Sequence, residues 1–257
     1  MARPNCLRIA IIALLSGLLP AATPGVASSP EPLPEKCEYP APGHVVYSGP
    51  SGKQFGACLD GAHRSEIREL KISSHGGDAW QTLQVVERYR GKIDLVIVTQ
   101  WCNSSCANYV IPAATNLIVL PHSYVTVHGS IDPDAIADYN NAQRKILASK
   151  YPQVPASEWD KTFKKTIDGV KAELPVQNDF EKRLLSCPAW LHPDEYVASE
   201  IAKGRLHKSA KEVKGLVVTK KMAMRCLKHT HILSYWSPAS QSELPSELSK
   251  TGAVLAP

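Results

Sequence analysis

Residues 93–99 read IDLVIVT, an almost unbroken apolar run dominated by β-branched side chains. Such a run suits a strand buried on both faces, and strands covered on both faces belong to parallel sheets flanked by helices. The surrounding sequence agrees. Residues 67–72 alternate apolar and polar, as a half-buried strand does, and end in the turn chemistry of Ser73-Ser74-His75-Gly76-Gly77-Asp78. Residues 78–89 carry Ala79, Leu83, Val86 and Tyr89 at helical spacing. After the apolar run comes WCNSSC, then a short helix predicted over 105–112 and two short strands over 117–120 and 124–128. Strand, helix, strand, helix, strand at this spacing is a right-handed βαβ series, so the fold class is α/β with a mostly parallel sheet.

The flanks read differently. Residues 28–43 are rich in Pro, Ser and Glu and are expected to form a linker or extended arm, pinned by Cys37. Two strands are expected at 44–48 and 55–59, joined by a turn. Residues 132–186 are polar, charged and helical in period, which predicts a helical insertion or cap of two or three amphipathic helices. A further helix is expected over 192–203 and a late strand over 215–219. The main domain is thus expected to span 44–236, with 237–257, rich in Pro and Ser, as a loose tail.

Residues 1–27 have the grammar of a secretory signal peptide. Arg3 and Arg8 precede an apolar core at 9–19, and Gly25-Val26-Ala27 is a small-x-small cleavage site. The core is shorter than the roughly 20 residues a membrane-spanning helix needs. Cleavage would leave six of the seven cysteines, Cys6 being lost, and an even number in an exported chain suggests disulfides. Sequence alone allows 15 pairings; the nearest-neighbour set is Cys37–Cys58, Cys102–Cys106 and Cys187–Cys226. A zinc site built on Cys102, Cys106 and a histidine is the alternative, but no second ligand pair stands at zinc-finger spacing, and the Cys-x-x-x-Cys spacing is not that of thioredoxin-like redox pairs. The formal charge of +5 falls to +3 without Arg3 and Arg8, too mild an excess to call for nucleic acid. The expected setting is periplasmic or secreted, with no nucleic acid, metal or cofactor and no membrane attachment after cleavage.

Three segments carry chemistry in a suggestive order: Gly76-Gly77 in a turn after a strand, Ser104 at a strand-to-helix junction, and His128 at the end of a later strand. A serine hydroxyl is a poor nucleophile until a base takes its proton, and histidine is the usual base. The amides of Ser105 and Gly77 are candidate oxyanion donors, since a tetrahedral intermediate needs N–H groups aimed at its oxygen. Ser104 also suits a helix N-cap, and Ser105 is a rival nucleophile. His75 and His122 read as loop residues.

ISSHGGDAW, WCNSSCANYVIPAA and LPHSYVTVHG together resemble the core of the proteolytic subunit of Clp protease, in the Clp/crotonase superfamily, and more closely its exported relatives with a Cys-x-Ser-x-Cys-Ala motif. The resemblance covers residues 66–130, about a quarter of the chain, and the histidine follows the serine by 24 residues, near the family's separation. It implies a spiral of ββα units, Ser104 as nucleophile, His128 as base, Gly77 and Ser105 as oxyanion donors, a peptide or protein substrate, and assembly as a homotrimer or larger. The family's third triad member is an aspartate about fifty residues after the histidine, where Asp179 stands; Asp160, Asp168 and Glu173 are rivals. His75 replaces the proline of the family's Ser-Pro-Gly-Gly pattern, and Ala113-Ala114 replaces its Ala-Gly. The resemblance leaves two readings: a serine-type peptidase, or a fold-keeping binding or assembly module without activity. Crotonase-like acyl-CoA chemistry is disfavoured by export.

Overall fold

The computed structural model describes residues 35–63, 66–206, 208–209 and 212–257; the predicted signal peptide lies outside them. Strand β1 (Lys36–Ala41) and β2 (His44–Ser48) form an antiparallel hairpin, followed by helix α1 (Lys53–Gly61). Next come β3 (Ile67–Ser74), α2 (Ala79–Arg88) and β4 (Ile93–Asn103). A π-helix (Cys106–Val110) runs into the single turn α3 (Ile111–Ala113), then β5 (Asn116–Val119) and β6 (Tyr124–Val127). The long helices α4 (Pro133–Lys150) and α5 (Ala156–Leu184) form the predicted insertion. Then follow α6 (Pro193–Ala202), β7 (Gly215–Val217), α7 (Lys220–Cys226), β8 (His231–Tyr235), α8 (Ser246–Lys250) and β9 (Ala253–Leu255).

The strands form one mixed, mostly parallel sheet in the order β1-β2-β3-β4-β6-β7-β9, with β5 and β8 branching from β4. Only β1–β2 and β6–β7 pair antiparallel. Strand β4 is the spine. Its first half pairs with β5 through Leu95↔Asn116 to Val98↔Val119, and its end pairs with β6 through Trp101↔Tyr124 to Asn103↔Thr126. The IDLVIVT run is therefore central, as its lack of alternation requires, and Ile93, Val96 and Val98 are fully buried. Helix α2 starts where Asp78 accepts a hydrogen bond from the Gln81 amide at 2.8 Å, a side-chain cap for an otherwise orphaned donor. Its buried Leu83, Val85 and Val86 join the main core.

Two expectations are corrected. Residues 55–59 are helical rather than extended: Phe55, Cys58 and Leu59 are buried together at helical spacing. Gly56 allows close approach to α2, since a Cβ there would lie 2.7 Å from Val85 Cγ2. The tail is not loose either. Leu244, Leu248 and Ala253 close a second small core with Tyr124 and Val217, and β9 extends the sheet alongside β7; the Pro/Ser-rich composition masks these few spaced apolar residues. The arm is pinned by Cys37 as expected, though 36–41 is an edge strand exposed along its length.

Among the described residues Cys37–Cys58, Cys102–Cys106 and Cys187–Cys226 form three disulfides, matching the nearest-neighbour pairing and fitting an oxidising, extracellular setting. Among the described residues no helix is long and apolar enough to cross a membrane.

Candidate functional site

Three parallel strands, β3, β4 and β6, deliver their carboxyl ends to one region, the end of an open α/β sheet at which ligands are usually bound. β4 ends on Asn103, and Ser104 then takes a left-handed conformation, φ 55°. That conformation is uncommon for a residue with a Cβ. It is held from both sides: the Ser104 amide donates to the Thr126 carbonyl on β6 at 2.8 Å, and its carbonyl accepts from the Asn108 amide at 2.8 Å. A strained strand-to-helix turn that presents a serine is the geometry of a nucleophile elbow, in which small residues usually stand two positions either side. Here those positions are Cys102 and Cys106, with Cα atoms 5.2 Å apart and bridged by a disulfide. The close approach that favours glycine in other elbows also suits a covalent bridge. Extra room comes from Gly76 at the end of β3: a Cβ there would lie 2.5 Å from Ser104 Cβ and 2.8 Å from the Asn103 carbonyl oxygen.

Ser105 plays a different part. It is 1% exposed, and its hydroxyl lies 2.7 Å from Ser51 Oγ while accepting the Gly77 N–H at 2.8 Å. A hydroxyl so enclosed is a structural peg joining three loops, so of the two serines Ser104 is the one offered at the turn. The Ser105 amide begins the helix, where N–H groups lack intrahelical acceptors. The Gly77 amide, by contrast, is engaged with Ser105 Oγ and is not a free donor in this conformation. Glycine is required there for another reason, since a Cβ would lie 2.0 Å from the Ser51 carbonyl oxygen.

His128 follows β6 directly. With Asn103 paired to Thr126, strand geometry places His128 one strand spacing (~4.8 Å) and about one residue's rise (~3.3 Å) from the Ser104 position. Ser104 and His128 make no hydrogen bond to each other. Part of His128 faces solvent, but the protein packed around its ring disfavours imidazolium and lowers its pKa from the ordinary 6.5, against smaller opposing effects of its own backbone and of the Asp194 charge. Asp194, in the first turn of α6, is the carboxylate that acts electrostatically on His128, and sequence reasoning missed it. Its only signal was a place in the first turn of a helix beginning with proline, 66 residues after the histidine.

Asp179 is engaged by Arg183. It is exposed and accepts from Arg183 Nε at 2.7 Å, a pairing that holds its carboxyl below the usual range; Arg183 in turn reaches Glu87 at 2.6 Å. The rivals Asp160 and Asp168 pair with Arg144 and Lys164 on the insertion. Glu173 has a pKa raised by burial and then by the Asp78 charge.

Two further residues escaped the sequence. His75 Nδ1 lies 3.3 Å from Asn103 Nδ2, and its ring packs on Trp101 at 5.3 Å between centroids. Gln177, 2% exposed on α5, is a clasp. Its Oε1 accepts from Tyr109 Oη of the π-helix at 2.8 Å and from the Ile131 amide at 3.1 Å. Its Nε2 donates to the Ile131 carbonyl at 3.1 Å and to Ser130 Oγ at 3.3 Å. The insertion thereby holds both the helix behind Ser104 and the loop after His128.

Among the described residues no group of three His, Cys, Asp or Glu side chains is placed to hold a metal ion. An open cavity of about 500 Å³ between the β1–β2 turn and the end of α1 shares no residue with the Ser104 region. No family model, no curated protein and no solved structure matches this chain.

The lowered His128 pKa gives a pH prediction. A base must be neutral, so any Ser104 reactivity that depends on His128 is expected to stay level through neutral pH. It should fall only below the ordinary imidazole midpoint of 6.5. Stability follows the same sign: unfolded imidazoles take up protons first, so the fold loses stability as pH drops from 6.5 through the folded-state pKa. Thermal melts across that window check this, and His128→Gln is expected to flatten the slope.

Proposed function

We propose that this chain is an exported serine hydrolase of Clp-like type acting on peptide bonds. The observation that carries the reading is Ser104 held left-handed at the carboxyl end of β4, with Gly76 packed against its Cβ and His128 ending the neighbouring strand. In this reading Ser104 Oγ attacks the carbonyl carbon while His128 takes the hydroxyl proton. The Ser105 amide binds the developing oxyanion, and the Gly77 N–H exchanges its Ser105 hydroxyl for the same oxygen. The imidazolium then gives its proton to the leaving amine, and water hydrolyses the acyl-enzyme. Asp194 is the carboxylate that favours the imidazolium. The same reading carries the ββα spiral of the Clp/crotonase superfamily, assembly as trimers or larger, and a periplasmic site of action without a cofactor.

A second reading, a binding or assembly module without activity, is favoured by the Gly77 N–H being engaged and by the absence of a Ser104–His128 hydrogen bond. Labelling of the mature protein with a fluorophosphonate separates the two. The hydrolase reading expects one adduct on Ser104, lost in Ser104→Ala. No adduct, or one that survives the substitution, would remove Ser104 as nucleophile and leave the binding module.

A further inference from the structure

The mild overall charge conceals a local concentration. Residues 213–242 contain five Lys and Arg and no Asp or Glu. That segment therefore carries +5, against +3 for the whole chain without its first 27 residues, which leaves −2 for everything else. Four of the five cations gather on α7 and just beyond it: Lys220, Lys221, Arg225 and Lys228, all exposed. None of the four is among the ion pairs of the described residues, whereas Lys164, Arg183 and Lys203 elsewhere are paired with carboxylates.

Helix α7 sorts its residues by side. Met222, Ala223 and Cys226 are buried in the main core, so Lys220, Lys221, Met224 and Arg225 face outward. Met224 is 65% exposed, the most of any large apolar side chain among the described residues. Two of the cations are held in place from beneath. The Arg225 guanidinium lies over the Tyr196 ring of α6, 5.3 Å from its centroid, and Lys228 Nζ donates to the Lys182 carbonyl at 2.7 Å. Asp194 and Glu195 precede Tyr196 in the first turn of α6, yet neither pairs with these cations.

An apolar tip ringed by unpaired cations fits a surface that offers negative charge above hydrocarbon. A second copy of this face would meet it with like charge, which repels. A single-stranded nucleic acid is gripped by aromatic platforms beside its cations, and the tip here is aliphatic. We infer that the outer face of α7 seats this protein on an anionic lipid surface. Lys220, Lys221, Arg225 and Lys228 lie over the headgroup phosphates, and Met224 enters the boundary between headgroups and acyl chains. This departs from the expectation of no membrane attachment after cleavage, which drew on the overall charge. It shares no residue with the Ser104 site, so Ser104→Ala is expected to bind vesicles like the parent.

The test is sedimentation of the mature protein with two kinds of vesicle: phosphatidylcholine alone, and phosphatidylcholine with phosphatidylglycerol in equal parts. Binding is expected on the anionic vesicles only and should weaken as salt is raised. Lys220→Gln/Lys221→Gln should weaken it about 25-fold, on the order of fivefold per lysine. Lys164→Gln/Lys165→Gln removes the same charge from the insertion and should change little. Met224→Ser should weaken binding while leaving its salt dependence as it was. Four results overturn the inference: equal binding to both vesicles, equal losses in the two lysine variants, full binding by Met224→Ser, or displacement of the vesicles by a single-stranded oligonucleotide at lower concentration than by free phosphatidylglycerol vesicles. The last would give the face to nucleic acid.

Discussion

The Cys102→Ala/Cys106→Ala protein is expected to lose most of its fluorophosphonate reactivity while giving up the least stability of the three disulfide deletions. The bridged pairs are separated by 4, 21 and 39 residues for Cys102–Cys106, Cys37–Cys58 and Cys187–Cys226. Loop-closure entropy scales with the logarithm of that length, which gives about 2, 3 and 4 kcal/mol respectively. For a domain of this size the largest corresponds to a melting-point loss of roughly 8–16 °C. Reactivity should rank the other way. Cys102 and Cys106 lie two residues either side of Ser104 and hold the turn that gives it φ 55°. Misplacing a reacting group by about 1 Å costs on the order of 100-fold. The Cys187–Cys226 bridge ties the segment after α5 to the end of α7 and makes no contact of this kind. Labelling rates and melting temperatures of the double variants, measured side by side, check the inversion. If reactivity fell in proportion to stability in all of them, the bridge around Ser104 would be no more than a staple.

Gly76→Ala is expected to abolish labelling and to destabilise the protein by about 2–4 kcal/mol, combining overpacking with a left-handed backbone. Gly76 has φ 97°, and the added methyl would meet Ser104 Cβ at 2.5 Å and the Asn103 carbonyl oxygen at 2.8 Å, so the elbow must move or the turn must open. Gly91 supplies the control. It too has positive φ, 66°, but a Cβ there meets nothing within 4 Å, so Gly91→Ala should cost only the backbone strain, about 1–2 kcal/mol, with labelling intact. Equal stability losses in the two variants, with labelling retained in both, would show that Gly76 is there for the turn alone.

Much of this architecture is legible in the chain because local and global preferences agree. IDLVIVT has one good place in an α/β sheet, and the structure puts it there. The spacing of Ala79, Leu83 and Val86 fits only a helix, and the cysteines pair with their nearest neighbours. Legibility fails where packing overrides composition. The short apolar stretch in KQFGACLDG suits a strand as well as a helix until Val85 is seen against its glycine. The tail's sparse leucines carry no periodicity of their own, yet they complete a core begun at Tyr124. The catalytic candidates divide along the same line. Ser104 and His128 are fixed by the ends of adjacent strands and so can be placed from strand order. The acid cannot, because it must arrive from a distant helix: counting residues selects Asp179, while folding turns Asp179 toward Arg183 and leaves Asp194 as the charge felt by His128. Gln177 gives no signal at all, being one polar residue on a polar helix.

That glutamine has a consequence for how the molecule could be remodelled. Most of α4 and α5 is wetted by solvent and looks dispensable, an ornament hung on the sheet. A single side-chain amide nevertheless grips the loop beyond His128 and the helix behind Ser104 at once. A shorter or borrowed helical pair could replace the ornament only by offering an amide at the same depth. Through that one amide the insertion is tied at once to the helix that begins after Ser104 and to the loop that follows His128.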